Sequence, residues 1–250
     1  MPELPEVEIM TRAAARWLNG RAVVDVDVPD PRVVVAAPDD DAERWRSLAG
    51  ARFTGAARRA KHMLLRFDVA DVAVHFRMTG KWVRRDAADG QRPLRFALTL
   101  DDGATVGLDD TRRLGEVRVF RSGGAVDWVE GLGLGPDVYP AHLGGDLWAE
   151  RLGAYSGPLR GAMLDGRRLA GIGNILASEI CFEAGVSPMR LARAITHVEW
   201  EALARASHAV IGAVIDHAGD APIRYVNEAG GRAANPFAVY GRDGQACLRC

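Results

Sequence analysis

The stretch RFTGAARRAKHMLLRFD at residues 52–68, with DVAVHFRM at residues 71–78 soon after it, decides the fold class of the first half of the chain. Apolar and polar residues alternate along much of both stretches, which is the pattern of a β-strand with one buried face. The same pattern recurs at residues 22–28, 95–100 and 116–121. Many short strands, separated by turn signals such as Asp102-Gly103, predict a β-sandwich of two antiparallel sheets.

A helix precedes this β-rich region, and a helical region follows it. Apolar residues recur at helical spacing over residues 2–18, and Asn19-Gly20 is typical of a helix end. From about residue 145 the pattern is helical again, with helices predicted over residues 146–153, 168–184 and 197–217. The chain is therefore predicted to be an α+β protein, with an N-terminal helix and a two-sheet β-sandwich before a helical domain.

The composition changes at residues 123–144, which are rich in Gly, Pro and Asp and are typical of a linker. The helical region ends in a long polar loop, and the last residues resemble one strand of a hairpin that carries Cys-x-x-Cys. The predicted divisions are an N-terminal domain at 1–130, a linker at 131–144, a helical domain at 145–236 with the polar loop at 219–236, and a partial hairpin at 237–250.

Length and composition indicate a soluble globular protein, with 250 residues of which 48% are hydrophobic and 26% charged. No stretch reaches the roughly 18 consecutive apolar residues that suggest a membrane span, and the first residues lack the apolar run of a secretory signal. Three cysteines fit a reducing compartment, so we expect a cytoplasmic protein without a membrane partner. Because the net charge is only −1, a nucleic-acid partner would require a local basic patch.

The chain opens with MPELPEV, in which Pro2 becomes the N-terminus if Met1 is removed. The small second residue permits that removal, and the product is a secondary amine. An ordinary α-amino group has a pKa of roughly 7.7–8, so such an amine is partly unprotonated and can form an iminium with an aldehyde-like carbon. On these two residues alone, an ordinary start codon before a turn-favouring proline is the favoured alternative.

Four other stretches carry residue types that suit phosphate or base contacts. GIGNILASE at 171–179 places two glycines before a helix expected to begin near Asn174, and exposed N–H groups at a helix N-terminus bind anions. A simple glycine turn is the alternative there. The other three stretches are RRAKHMLLRF at 58–67, HFRMTG at 75–80 and DDTRRLGEV at 109–117. They are also compatible with a solvated strand edge, core side chains and a solvated turn, respectively.

In chain order, these stretches resemble one family. The opening PELPEVE, the RRAK strand, His-x-x-Met-x-Gly, Asp-x-Arg-Arg-x-Gly, Gly-Ile-Gly-Asn and the terminal Cys-x-x-Cys are similar to the formamidopyrimidine-DNA glycosylase / endonuclease VIII family, over residues 2 to 250. The opening resembles the formamidopyrimidine branch, because the endonuclease VIII branch typically begins with Pro-Glu-Gly-Pro. The resemblance implies a helix–two-turn–helix motif in the helical domain and a C-terminal zinc hairpin.

The resemblance also implies a function. It predicts a bacterial, nucleoid-associated base-excision repair enzyme that acts as a monomer on double-stranded DNA, removes oxidised purines (formamidopyrimidine and 8-oxoguanine), and has an associated AP lyase activity. Pro2 would attack the sugar C1′ and form an iminium, and β,δ-elimination would follow without a metal in the chemistry. Glu3 would be the general acid/base, with Glu6 as a supporting helix residue. Lys61 would contact the phosphates that flank the lesion and stabilise developing oxyanions.

The same resemblance implies the DNA contacts. The matching residues are His75 and Asn174 for phosphates, Met78, Arg112 and Leu114 for the wedge that fills the gap left by the flipped base, and Arg224 for the loop that closes over that base. The family usually has Phe at the position of Leu114. A leucine cannot stack on neighbouring bases as a ring does, so lesion search or preference is expected to differ.

The C-terminal segment departs from the family pattern. A structural zinc site is tetrahedral and is closed by four Cys or His ligands, whereas this segment offers only Cys247 and Cys250. Cys181 lies within a predicted helix and is expected to be a small buried hydrophobe. The sequence is therefore expected to be a fragment or a natural loss of the finger. The family implies Zn²⁺, but these two thiols alone are not expected to hold it.

Other functions are compatible with parts of the pattern. A preference for oxidised pyrimidines within the same family is disfavoured by the opening and by the long loop at 219–236. A non-catalytic lesion-binding protein is disfavoured by the presence of Pro2, Glu3 and Lys61, since a pure binder does not need the first two. The third alternative is a metabolic enzyme in which Pro2 is a chance residue.

Overall fold

The computed structural model describes residues 2–37, 43–86, 93–218 and 237–250. The chain divides into two compact units. The β-rich unit comprises Met1–Pro2 and Val7–Leu132, and the helical unit comprises Glu3–Glu6 and Gly133–Cys250. Among the described residues, no helix is both long enough and apolar enough to span a membrane.

The β-rich unit contains two four-stranded antiparallel sheets, with strand orders β1-β6-β7-β5 and β2-β3-β4-β8. The strands are β1 (Val23–Asp27), β2 (Phe53–Arg59), β3 (His62–Phe67), β4 (Ala70–His75), β5 (Lys81–Arg85), β6 (Phe96–Leu100), β7 (Thr105–Asp109) and β8 (Glu116–Arg121). Helix α1 (Leu4–Leu18) precedes them, two short 3-10 helices (Pro31–Val33 and Arg44–Leu48) lie between β1 and β2, and α2 (Gly124–Glu130) follows β8. This arrangement confirms the predicted fold class.

The core of this unit is formed by the inner faces of both sheets and by one face of α1. Leu98 and Leu108 come from one sheet, Met63 and Val117 from the other, and Leu18 from α1, and all five side chains are fully buried. Burying an aliphatic side chain of this size stabilises the fold by about 1.5–3 kcal/mol. The apolar half of the strand alternation thus supplies the free energy that holds the two sheets together.

The stretch at 52–68 forms two strands, β2 and β3, and Lys61 lies between them, as expected from the sequence. Arg59 of β2 pairs with His62 of β3, and Ala60 takes a left-handed φ of 53° in the turn between them. Lys61 therefore lies in a tight hairpin turn. The type of this turn was not predicted, because the turn contains none of the Gly, Asn or Asp residues that usually adopt left-handed φ in two-residue hairpins.

Two other details of the β-rich unit differ from the sequence prediction. β4 ends at His75, so Met78 lies in the turn that follows and not in the strand. β5 and β7 were not predicted, because KWVRR and TVGLD are short and only partly alternating. The remaining predicted strands are confirmed to within one residue of their observed ends.

The helical unit contains α3 (Gly145–Leu152), α4 (Leu159–Leu164), α5 (Asn174–Ala184), a 3-10 helix (Ala192–Ala194) and α6 (His197–Ala218). α6 packs against both α3 and α5. The predictions for α3 and α6 are confirmed. The helical pattern over 168–184 begins too early, whereas the glycines of GIGN indicate the observed start of α5 at Asn174. The six-residue α4 is too short for a periodic pattern and was not predicted.

Candidate active site

Within the helical unit, the carboxylate of Glu3 caps the N-terminus of α5. Its side chain is 2% exposed. Its two oxygens accept the backbone N–H groups of Gly173 at 3.0 Å, Ile175 at 2.9 Å and Leu176 at 3.0 Å. The first N–H groups of a helix have no intrahelical acceptor, and the positive end of the helix dipole favours a carboxylate there. The expectation that these N–H groups are open to a phosphate is therefore wrong for all three.

The glycines of GIGN allow this close approach. A Cβ at Gly173 would lie 2.3 Å from the carboxyl carbon of Glu3, and a Cβ at Gly171 would lie 2.3 Å from Leu4 Cδ1. Gly171 also has a φ of +106°, which side-chain-bearing residues rarely adopt. Its carbonyl accepts the N–H of Leu4 at 3.3 Å. Both glycines are thus required for the chain start to pack against α5.

Glu6 lies one turn after Glu3 and is also buried. Its Oε2 accepts the backbone N–H of Glu3 at 2.8 Å, which is one half of a capping box at the start of α1. Burial raises the pKa of Glu6 to about 7, although hydrogen bonds from backbone N–H groups partly oppose the shift. A carboxyl group with a pKa near neutrality can both donate and accept a proton at working pH. The sequence pattern did not reveal this property, because it depends on burial.

Pro2 immediately precedes Glu3 and is half-buried. Asn174, the first residue of α5, is exposed, and its Oδ1 accepts a hydrogen bond from the Arg160 guanidinium at 2.9 Å. This bond orients the amide so that its NH₂ group can donate to an anion. Arg160 was missed by the sequence analysis, because its contact with Asn174 depends on the packing of α4 beside the start of α5.

In the β-rich unit, Lys61 lies half-buried in the β2–β3 turn, and His75 ends β4 opposite His62 of β3. The two imidazole rings contact edge to face, with their centroids 4.8 Å apart. Burial lowers the pKa of His75 to about 3 and that of His62 to about 4. His75 Nδ1 accepts the N–H of Arg77 at 3.2 Å. His75 is therefore neutral at pH 7, with its proton on Nε2, where it can serve as a hydrogen-bond donor.

Three side chains of the β-rich unit lie on two short loops, and we call them the wedge residues: Met78, Arg112 and Leu114. Met78 is 43% exposed and Leu114 is 44% exposed. Arg112 is also exposed. Met78 and Leu114 are therefore accessible to a partner, as are several other large apolar side chains of the described residues, such as Met189 at 70% exposed.

The C-terminal cysteines do not form a complete metal site. Cys247 and Cys250 are exposed, and hydrogen bonds from the N–H groups of Cys250 and Arg249 lower the pKa of the Cys247 thiol. Within the part of the chain that the structure describes, neither thiol belongs to a group of three or more metal-ligating side chains. These residues alone therefore do not fit a tetrahedral zinc site. Cys181 is buried, as expected, and burial raises its pKa to about 12.

Another group of ligand-type side chains has a structural explanation. Asp146, His197 and Glu201 bring ligand atoms within 4.8 Å of one another. Glu201 accepts the N–H of Gly145 at 3.1 Å, and Asp146 pairs with His197 at 3.4 Å. All three lie near the N-termini of α3 and α6, where the helix dipole favours carboxylates. These contacts account for the cluster without an ion.

Arg224 and the loop at 219–236 lie outside the described residues. Residues 237–250 contain turns and bends but no strand. Buried Glu179 of α5 holds the beginning of this segment by accepting the N–H groups of Ala238 at 2.8 Å, Val239 at 3.0 Å and Tyr240 at 2.7 Å.

Two family models match the chain, and close relatives cover its whole length. The formamidopyrimidine-DNA glycosylase N-terminal domain matches residues 1–117, and the formamidopyrimidine-DNA glycosylase H2TH domain matches residues 134–223. The formamidopyrimidine-DNA glycosylase of Chloroflexus aggregans is 37% identical over 259 residues, covering 100% of this chain and 91% of the relative. That of Moorella thermoacetica is 36% identical over 256 residues, covering 100% and 92%.

Solved structures show the same fold. Lactococcus lactis Fpg (MutM), in a complex with DNA containing N7-benzyl-Fapy-dG, has a TM-score of 0.85 at 23% identity and covers 100% of this chain and 91% of its own. MutM in complex with DNA containing carbocyclic 8-oxo-G has a TM-score of 0.85 at 24% identity, with the same coverage. At these identities the structures inform on the fold alone. On the two matching models and the full-length relatives, this chain belongs to the formamidopyrimidine-DNA glycosylase family.

Proposed function

We propose that this protein is a base-excision repair DNA glycosylase with an associated AP lyase activity, which removes oxidised purines from double-stranded DNA. The observation that carries the proposal is the arrangement at the chain start. Pro2 precedes a buried carboxylate that three N–H groups of α5 hold in place. Next to it lies Glu6, whose pKa burial raises to about 7. A nucleophilic amine and groups that can transfer protons are what an iminium mechanism requires.

The proposed reaction begins at the nitrogen of Pro2, after Met1 has been removed. This nitrogen attacks C1′ of the damaged nucleotide, the N–C1′ bond forms, and the bond between C1′ and the base breaks as the base takes up a proton. Opening of the sugar ring gives an iminium, which acidifies the C2′ protons. Loss of a C2′ proton and of the 3′ phosphate is β-elimination, and a second elimination expels the 5′ phosphate. Water then hydrolyses the iminium and regenerates Pro2. No step changes the total oxidation state.

Glu3 and Glu6 divide the proton transfers in this proposal. Glu3, adjacent to Pro2, protonates the sugar ring oxygen and serves as the general acid/base. Glu6, whose carboxyl is partly protonated at neutral pH, is hydrogen-bonded to the backbone of Glu3 and supplies a second group that exchanges protons. Lys61 contacts the phosphates that flank the lesion, and its charge stabilises the oxyanions that develop during elimination.

The proposed DNA contacts combine neutral donors with an apolar wedge. His75, through Nε2–H, and Asn174, through its amide NH₂, donate to phosphates, and Arg224 contributes from the loop that closes over the flipped base. Met78, Arg112 and Leu114 fill the gap in the base stack. The exposure of Met78 and Leu114 supports this role, as does the formamidopyrimidine-DNA glycosylase name of the full-length relatives.

Borohydride trapping tests the proposal directly, because only an enzyme that forms an iminium becomes covalently linked to DNA. Protein whose intact mass shows that Met1 is absent is incubated with duplexes containing 8-oxoguanine, formamidopyrimidine, an oxidised pyrimidine or an abasic site. We expect a trapped complex with the two purine lesions and the abasic site. A trapped complex with the oxidised pyrimidine alone among the damaged bases would reassign the substrate class. Trapping with none of the four would refute the function.

A further inference from the structure

One buried carboxylate joins the two loops that carry the wedge residues. Asp110 directly follows β7, and it is 0% exposed. Its Oδ1 accepts the hydroxyl of Thr79, which is the residue after Met78, and the N–H of Arg112 at 3.1 Å. Its Oδ2 accepts the N–H of Leu114 at 2.8 Å and the N–H of Gly115 at 2.7 Å. Each wedge residue is thus bonded to Asp110 directly or through its immediate neighbour.

The backbone of both loops is tightly constrained around this carboxylate. In the first loop, Gly80 donates its N–H to the Phe76 carbonyl at 3.0 Å, and a Cβ at Gly80 would lie 2.6 Å from that oxygen. In the second, Arg113 takes a left-handed φ of 58°. Arg95 fixes the other side by donating to the carbonyl of Asp110 at 3.1 Å. Each loop is therefore held by backbone contacts of its own, and the carboxylate of Asp110 joins the two.

The charge state of Asp110 agrees with its four donors. Burial opposes its ionisation, but the hydrogen bonds from Thr79 and from the N–H groups of the loop outweigh burial and lower the pKa of the carboxyl. An ionised carboxylate is purely an acceptor, and all four side-chain contacts are accepted bonds. In an Asp110→Asn variant, an NH₂ group would replace one of the two side-chain oxygens. This donor would face N–H or O–H groups that are themselves donors.

We propose that Asp110 is a positioning residue, which holds Met78, Arg112 and Leu114 in one fixed arrangement so that they enter the DNA stack together. This inference rests on the proposed function. Flexible side chains lose conformational entropy when they become ordered at an interface, and pre-organised loops reduce that cost. Leu114 cannot stack on a base as an aromatic ring would, so its placement depends on its backbone, and Asp110 determines that placement.

Asp110→Asn tests the role, with Asp71→Asn as a matched control. Asp71 is also a buried aspartate of the β-rich unit. It lies near the start of β4, whereas the loop that carries Met78 follows the end of that strand. Its carboxylate accepts the N–H of Gly123 at 2.8 Å, just before α2. Single-turnover excision of 8-oxoguanine and the affinity for lesion duplex are measured below the melting temperature of both variants. We expect Asp110→Asn to slow excision about tenfold or more, and Asp71→Asn to change it less than about twofold.

A second background separates positioning from general stability. In a Met78→Ala/Arg112→Ala/Leu114→Ala protein, the residues that Asp110 positions are absent, so adding Asp110→Asn should cause little further loss, because coupled residues are non-additive. The decrease in excision rate caused by Asp110→Asn should also be smaller when the lesion lies opposite an abasic residue, because no base pair then has to be broken to flip the damaged base. Thr79→Val removes a single donor and should give a smaller loss of the same kind, which keeps the test valid if Asp110→Asn does not fold.

The outcomes separate this inference from the proposed function. If wild-type protein excises 8-oxoguanine and Asp110→Asn excises it equally well, or loses no more than Asp71→Asn, Asp110 does not position the wedge. An equal loss in the wild-type and the triple-alanine backgrounds has the same meaning. If the wild-type protein forms no trapped complex at all, the proposed function itself is wrong.

Discussion

Two carboxylates connect segments near the two ends of the sequence with the same helix, α5. Glu3 comes from the chain start and accepts three N–H groups at the N-terminus of α5. Glu179 comes from within α5 and accepts three N–H groups of residues 238–240. Both are almost fully buried. Glu3 thus caps a helix, whereas Glu179 holds residues 238–240, which have no regular structure. Hydrogen bonds to a carboxylate are stronger than neutral ones.

The difference between them lies in what the ordered segment carries. Glu3 is adjacent to Pro2, so disturbing its contacts changes the environment of the proposed nucleophile. Glu179 orders residues that lead to Cys247 and Cys250, which belong to no complete metal site among the described residues. The same anchoring chemistry is therefore expected to affect catalysis at one end and binding at the other. Variants that remove one charge at a time can test this division.

Glu3→Gln is expected to have the largest effect. The amide retains the size of the side chain but can neither donate nor accept the catalytic proton, so excision of 8-oxoguanine should fall by about 10²–10⁴-fold. Affinity for lesion duplex should change little, which single-turnover kinetics together with binding isotherms can separate. Glu8→Gln in α1, the helix that Glu3 precedes, is the matched control, since Glu8 pairs with Arg12 and Arg58 on the β-rich unit. Excision at the wild-type rate in Glu3→Gln would assign the acid role elsewhere.

Glu6 predicts a pH dependence of stability. Because its pKa is raised from 4.5 to about 7 in the folded state, the folded protein binds a proton that the unfolded chain releases. The resulting stabilisation is complete below pH 4.5 and is lost as the pH rises through 7, by up to about 3 kcal/mol. A glutamine at this position does not titrate, so the Glu6→Gln variant does not lose stability in this way. The free energy of unfolding of the variant minus that of the wild type should therefore increase from pH 5 to pH 8, as urea titrations at both pH values can show. A constant difference would contradict the raised pKa.

Glu179→Gln should have a smaller effect, confined to the C-terminal segment. The loss of charge weakens three hydrogen bonds and should cost about 1–3 kcal/mol of local stability. Hydrogen exchange at the amides of Ala238, Val239 and Tyr240 should accelerate, whereas trapping at saturating enzyme should fall much less than in Glu3→Gln. The exposed Glu183→Gln on the same helix provides the control. If trapping falls as far as in Glu3→Gln, the division between the two ends is wrong.

The sequence could predict the periodic elements and the positions of unusual residues. Alternation located most strands of the sandwich, and the glycines of GIGN correctly placed the start of a helix near Asn174. The sequence could not show that Glu3, about 170 residues before that helix, would cap it, because a contact over such a long sequence separation depends on the packing of the chain. The N–H groups at the start of α5, which were expected to bind a phosphate, are hydrogen-bonded to the Glu3 carboxylate instead.

The other omissions also have physical causes. The turn at Lys61 contains no typical turn residue, so its type could not be predicted although its place between two strands could. Asp110 stands in DDTRRLGEV, which is indistinguishable from a solvated turn until its burial is known. The raised pKa of Glu6 likewise depends on burial and not on neighbouring residue types. The sequence and its resemblance to a family suggested the candidate residues, whereas the protonation and the hydrogen-bond partners of these residues became visible only from the packed structure.

The smallest expected effect concerns the two exposed thiols, and it sharpens the comparison at the C-terminal end. If Glu179 orders residues 238–240, then Cys247→Ser/Cys250→Ser should leave hydrogen exchange at those amides unchanged within about 0.5 kcal/mol, since exposed substitutions outside a network rarely do more. Added zinc should also change the exchange little, because two thiolates do not complete a tetrahedral shell. Exchange is measured in this chain with zinc and with a chelator, beside Glu179→Gln. One tightly held zinc per chain, with faster exchange after chelation, would show that the metal and not the carboxylate orders this end.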